Sequence, residues 1–215
     1  MKAPARDAEE LLAAYRESLL VAHNRPPGLF VEQVSDLDTV FVELELDRAG
    51  TTLEHDRGKT TGLTLRELME RAPVDGGHAA RWVVLGDPGA GKSTLARHLV
   101  WKLAGEPSGK LPVYMQLSVL AGEQSHPFDR AEKLLKDDRG VAAGEGLSKL
   151  LFDRANERDQ VWLLLDGLDE VAPAHRQWVN RQLSQWSEQP PNVTIAVFSR
   201  PGGYAVLRWL QADRR

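Results

Sequence analysis

Gly86-Asp87-Pro88-Gly89-Ala90-Gly91-Lys92-Ser93-Thr94 follows the apolar run Trp82-Val83-Val84-Leu85 directly. It opens a segment, Ser93 to Leu103, in which Leu95, Leu99 and Leu103 recur at helical period. Strand, glycine loop and helix therefore succeed one another. The spacing Gly86-x₄-Gly91-Lys92-Ser93 is the pattern of a phosphate-binding loop. A triphosphate carries several negative charges and needs many donors at short range. Glycines let the backbone turn its N–H groups inward into a concave nest, and the helix that follows aims its N-terminal dipole at the same point. Lys92 is placed to reach the β- and γ-phosphates, Ser93 to offer a hydroxyl to Mg²⁺, and Thr94 to touch the α-phosphate. Gly86, Asp87, Pro88, Gly89, Ala90, Gly91, Lys92, Ser93 and Thr94 are the candidate nucleotide-binding residues. The eight-residue pattern alone also occurs by chance, as a glycine-rich turn. The strand before it and the helix after it separate this instance from an accident.

The second stretch is Val161-Trp162-Leu163-Leu164-Leu165-Asp166. It is apolar throughout, as a strand covered on both faces should be, and it ends in a carboxylate. In a doubly wound sheet, ligands bind at the carboxyl ends of the strands. Asp166 is thereby the candidate Mg²⁺ ligand, beside Ser93. Gly167-Leu168-Asp169-Glu170 adds two further acids. One of them can orient or deprotonate an attacking water. Glu170 is the first candidate for this base and Asp169 the alternate. The blander alternative is that both acids begin the next helix, where negative charge is favoured.

The third stretch, Val193-Thr194-Ile195-Ala196-Val197-Phe198, is a strand leading into Ser199-Arg200-Pro201-Gly202-Gly203-Tyr204. Arg200, at the end of a strand expected beside the P-loop strand, is a candidate for stabilising charge on a transferred phosphoryl group. An arginine after a strand is otherwise an ordinary solvated loop residue.

Between these stretches, Leu111 to Leu117 reads as a strand. Helices are expected near 129–137, near 147–156 and across 174–187, the last from Trp178, Leu183 and Trp186. Strands alternating with helices predict an α/β fold: a P-loop NTPase of three α/β/α layers with a mostly parallel sheet. Residues 79–215 form this core. Residues 1–78 form a lead-in. Residues 7–23 read there as an amphipathic helix with Leu11, Leu12, Tyr15 and Leu19 on one face, and its polar face is not basic, so packing on its own domain is preferred to a membrane surface. Residues 38–46 read as a strand, 47–62 as a loop, and Thr64 to Arg71 as a short helix with a capping box.

Composition bounds the rest. The 215 residues suffice for one domain of ordinary size, and 42% hydrophobic with 27% charged is a globular balance. Cysteine is absent, which excludes disulfides and thiolate metal sites. The six histidines are scattered, against a zinc site. A formal net charge of −4 gives no sign of nucleic acid as a partner. No segment has the length and apolarity of a membrane span, and acids interrupt the apolar residues near the N-terminus, so no secretory signal is read. The expected location is the cytoplasm.

Taken together, four stretches resemble the NACHT domain of the STAND branch of P-loop NTPases. They are Gly-Asp-Pro-Gly-Ala-Gly-Lys-Ser-Thr at 86–94, Leu-Pro-Val-Tyr-Met-Gln-Leu at 111–117, Leu-Leu-Leu-Asp-Gly-Leu-Asp-Glu at 163–170 and Ser-Arg-Pro-Gly-Gly-Tyr at 199–204. A small residue after the first acid, then paired acids, distinguishes this pattern from P-loop ATPases with Asp-Glu in direct sequence. Residues 30–46 look like the lead-in of bacterial members. The resemblance implies slow, Mg²⁺-dependent ATP hydrolysis used as a molecular switch, with ATP and ADP as ligands. It implies protein partners or self-assembly in the full-length context, in antiphage defence for bacterial members and innate immunity for animal ones. Family members continue into a fifth strand and a winged-helix region, so the chain reads as the N-terminal part of a larger switch or as a truncated gene product.

Three alternatives keep the P-loop but change the outcome. A non-catalytic regulatory module would bind nucleotide without turnover. A helicase-type motor disagrees with the negative charge and with the residues after Asp166. A small-molecule kinase would not normally carry Gly-Leu-Asp-Glu. No Asn-Lys-x-Asp guanine-reading motif occurs, which favours adenine. The base-contacting residues are expected within 47–63.

Overall fold

The computed structural model describes residues 8–24, 46–47, 62–63, 81–106, 109–157, 161–188 and 193–204. The expected helix at 64–71, most of the expected strand at 38–46, and the segment 47–63 apart from its ends lie outside these residues.

Helix α1 (Ala8–His23) comes first. Two short strands, β1 (Leu46–Asp47) and β2 (Gly62–Leu63), pair antiparallel. The core then runs β3 (Arg81–Leu85), α2 (Lys92–Gly105), β4 (Leu111–Gln116), α3 (Leu117–Glu123), α4 (Pro127–Arg139), α5 (Val141–Gly144) and α6 (Leu147–Ala155). It continues with β5 (Val161–Asp166), two 3-10 turns (Leu168–Glu170 and Pro173–His175), α7 (Arg176–Glu188), β6 (Val193–Ser199) and α8 (Pro201–Tyr204).

Strands β3, β6, β5 and β4 form one parallel sheet in that spatial order. The strand ending at Ser199 therefore lies beside the P-loop strand, as expected from sequence, and the strand ending in Asp166 lies on its other side. Register aligns their carboxyl ends: Leu85 pairs with Ser199, Val197 with Leu165, and Asp166 with Gln116.

The two-residue period of β5 decides what faces what. Trp162 and Leu164 join Val84, Ala196, Phe198 and the α2 residues Leu95, Leu99 and Leu103 in one apolar cluster. Val161, Leu163 and Leu165 join the other face, with Leu120 of α3, Phe128 and Leu135 of α4, Leu151 of α6, and Val179 and Leu183 of α7. Helices thus cover both faces, which explains why β5 and β6 are buried along their whole length and read as continuous apolar runs. Each fully buried leucine here stabilises the fold by about 1.5–3 kcal/mol.

Three short helices, α3, α5 and α8, have no counterpart in the sequence reading. Leu117 was expected to end β4, but the strand stops at Gln116 and Leu117 begins α3. Its buried residues Leu117, Leu120 and Ala121 stand at helical spacing, a signal too brief to stand out beside a glycine-containing polar stretch.

Helix α1 packs on the core, as the sequence reading preferred. Leu11, Leu12 and Tyr15 are buried in the second cluster, and the Tyr15 hydroxyl donates to the Pro112 carbonyl at 2.9 Å.

Candidate functional site

The loop between β3 and α2 is shaped by its own backbone. Gly89 and Gly91 have φ of 79° and 81°, the left-handed region. Gly91 is the N-cap of α2, and no side chain bonds to the first N–H groups of that helix. A residue with a Cβ would be strained there, and a polar side chain would compete for those N–H groups. The Ala90 N–H bonds back to the Asp87 carbonyl at 3.1 Å, closing the turn. The Lys92 ammonium folds over the same loop, donating to the carbonyls of Gly86 at 2.7 Å and Asp87 at 2.9 Å. Asp87, Pro88, Gly89, Ala90 and Ser93 are exposed, and Gly86, Gly91, Lys92 and Thr94 are half-buried. The result is an open cradle of backbone donors with one lysine across it, a suitable receptor for an anion.

The loop is tied to the rest of the sheet edge. The Gly86 N–H donates to the Ser199 carbonyl at 3.3 Å, which joins the start of the loop to the end of β6. Asp166, at the end of β5, is 5% exposed. Period two puts it on the α2 face with Leu164, the face of the helix whose first turn carries Ser93. Its Oδ2 accepts a hydrogen bond from the Tyr114 hydroxyl at 3.0 Å.

Asp169 and Glu170 take different environments although they are adjacent. Both lie in the 3-10 turn after Gly167. Asp169 is turned inward against the start of α8, where its Oδ1 accepts the Arg200 backbone N–H at 3.0 Å and its Oδ2 faces Arg200 Nε at 3.0 Å. Glu170 is exposed. Asp169 is thus committed to Arg200, and Glu170 is the acid left facing water. Sequence spacing could not separate the two.

A hard divalent cation suits this donor set. One buried carboxylate at the end of β5 and a hydroxyl in the first turn of α2, on the same face of the sheet, offer oxygens, and Mg²⁺ characteristically takes only one or two carboxylates and completes its shell with phosphate and water. Among the described residues no group of three His, Asp or Glu stands close enough to hold a metal without such help.

Tyr114 lies in the 111–117 stretch, but neither it nor His23 is among the candidate site residues of the sequence. Burial, with the Asp166 charge adding to it, pushes the Tyr114 phenol up to about 12. Burial, with the charge of Arg97 adding to it, pushes His23 down to about 4. Only the strand register and the packing of α1 bring them here, and neither leaves a local signature.

Comparison with protein families matches residues 80–213 to the family described as NACHT domain. The match spans the sheet, the glycine loop and the ends of β5 and β6. No curated protein matches the chain. No helix among the described residues is long and apolar enough to cross a membrane.

Proposed function

Because the chain belongs to the NACHT family, whose members are nucleotide-binding NTPases, we propose that it binds ATP with Mg²⁺, hydrolyses it slowly, and serves as the nucleotide switch of a signalling protein. The observation that carries this reading is the convergence of the 86–94 loop, Asp166 and Arg200 on one aligned sheet edge.

In this reading the N–H groups of the loop and of the first turn of α2 cradle the phosphates. Lys92 leaves the Gly86 and Asp87 carbonyls for the β- and γ-phosphates. Ser93 and Asp166 hold Mg²⁺, which when bound neutralises charge on the terminal phosphates. Glu170, exposed at the same edge, orients and deprotonates the attacking water. Asp169 acts through Arg200: it fixes the backbone of Arg200 and holds its guanidinium ready for the γ-phosphate. The switch role, in the cytoplasm and through protein partners or self-assembly, follows the family likeness, as does a place in bacterial antiphage defence.

Calorimetry and phosphate release test the proposal together. Wild-type protein should bind ATP more tightly with Mg²⁺ present and release phosphate slowly. Glu170→Gln should keep the affinity and lose turnover by about 10²-fold or more. Binding without any turnover in the wild type would favour the regulatory-module reading, and a folded protein that binds no nucleotide would end both.

A further inference from the structure

The candidate metal ligand has a partner outside the candidate site residues. Tyr114 of β4 donates its hydroxyl to Asp166 Oδ2. The cross-strand partner of Asp166 is Gln116, and that of Tyr114 is Leu164. Tyr114 thus stands diagonally across from Asp166 on the same face, within reach of a long side chain. The tyrosine is itself held from two sides. His23, at the end of α1, meets its ring edge-on with centroids 5.1 Å apart and planes at 75°. Arg97 of α2 stands beside its hydroxyl. In this bond the hydroxyl donates and the carboxylate, an acceptor only when ionised, receives.

We propose that Tyr114 is a positioning residue for Asp166, its hydroxyl tying down Oδ2 so that Oδ1 serves the cation, with His23 and Arg97 holding the tyrosine in place. A lone carboxylate has a soft terminal torsion and two equivalent oxygens. A tethered oxygen removes that freedom before the cation arrives. Hydrogen-bonding partners of ligating carboxylates act in this way, and their loss weakens metal binding. The arrangement also makes the metal site sensitive to the seating of α1, which lies outside every nucleotide motif. The inference rests on the reading of Asp166 as a Mg²⁺ ligand.

The test titrates Mn²⁺ into the full chain with a non-hydrolysable ATP analogue and reads free Mn²⁺ by electron paramagnetic resonance. Tyr114→Phe should bind Mn²⁺ about tenfold more weakly, with unchanged metal-free nucleotide affinity and a melting temperature within a few degrees of wild type. A Tyr114→Phe protein that binds Mn²⁺ as the wild type does, whether or not it melts earlier, overturns the proposal and makes the tyrosine a packing residue. A wild type that binds no Mn²⁺ removes the metal reading of Asp166, and the proposal with it. If Tyr114→Phe does not fold, the wild-type chain labelled at tyrosine ¹³Cζ supplies the answer. Its three tyrosines are assigned with Tyr15→Phe and Tyr204→Phe. The Tyr114 resonance should shift when Mg²⁺ is added to the nucleotide-bound protein, and a resonance that stays still refutes the tether.

Discussion

Asp169 holds Arg200 at two points, through the backbone N–H to Oδ1 and through Nε to Oδ2, both at 3.0 Å. The turn after β5 is thereby fastened to the turn after β6. The contacts differ in weight. Half of the Arg200 side chain is exposed, at 51%, so water screens the guanidinium contact. The Asp169 side chain is only 14% exposed, and its bond from a backbone N–H is charge-assisted.

That difference separates two variants. Asp169→Ala removes both contacts and leaves a backbone donor without its carboxylate, so it should lower stability by about 1–2 kcal/mol. Arg200→Ala keeps the backbone bond and should lower stability by about 0.5 kcal/mol or less. Urea denaturation of the two proteins side by side measures this, and equal losses would contradict the ranking. If Arg200 serves the γ-phosphate as proposed, Arg200→Ala should also lose turnover while its stability is nearly intact.

Gly203 sits against the same clasp. A Cβ there would lie 2.5 Å from Asp169 Cβ, 2.7 Å from Asp169 Cα and 2.8 Å from Ser199 Oγ. The Asp169 Cα is backbone and cannot swing aside. Gly203→Ala should therefore push α8 off the 3-10 turn and lower stability by about 1–3 kcal/mol, as overpacking does. Gly202→Ala is the control, because a Cβ there meets nothing within 4 Å. Thermal melts showing the same transition for both variants would refute the close approach.

The three motifs were legible because each is written in adjacent residues. A glycine loop between strand and helix, an apolar run ending in Asp166, and a strand ending before Arg200 all carry their meaning locally. Alternation of strands and helices then predicts the parallel sheet. What stayed hidden depends on register and on distant packing. The bond between Tyr114 and Asp166 joins residues 52 apart, and only the pairing of β4 with β5 places them together. The choice between Asp169 and Glu170 as the exposed acid turns on Arg200, 31 residues beyond Asp169. Likewise α1 reads as an amphipathic helix, but nothing in its period says that its buried face carries His23 to Tyr114.

His23 gives the fold an acid sensitivity. Its pKa falls from 6.5 to about 4 through burial first and the nearby charge of Arg97 second. Between these values the unfolded chain binds the proton and the folded one does not. Stability from this group is complete above pH 6.5 and is lost as pH falls toward 4. At pH 5 the loss from His23 is about 2 kcal/mol. Burial depresses His126 as well, in the same direction. Urea denaturation at pH 7 and pH 5 should show the decrease, and His23→Phe should shrink it without abolishing it. An unchanged pH dependence in His23→Phe would place the sensitivity elsewhere.

Arg16 shows how α1 supports the nucleotide loop from the far end of α2. The last carbonyls of a helix have no partner within it and favour a cation. Arg16 Nη1 donates to the carbonyls of Leu103 and Ala104 at 3.0 Å each and of Glu106 at 3.3 Å, while Nη2 donates to Lys110 at 2.7 Å. One guanidinium thus closes α2 and binds the start of β4 to it. Burial draws the Arg16 pKa down, although the Glu9 charge opposes that shift. Truncation to alanine should cost about 3 kcal/mol, since several charge-assisted bonds go at once and partly buried carbonyls are left unpaired. Lysine keeps the charge but has one compact head in place of a planar fork. It can reach the Leu103 side or the Lys110 side, but not both, so Arg16→Lys should recover less than half of the loss. Chemical denaturation of the three proteins measures this, and a lysine variant as stable as the wild type would show that charge alone closes the helix.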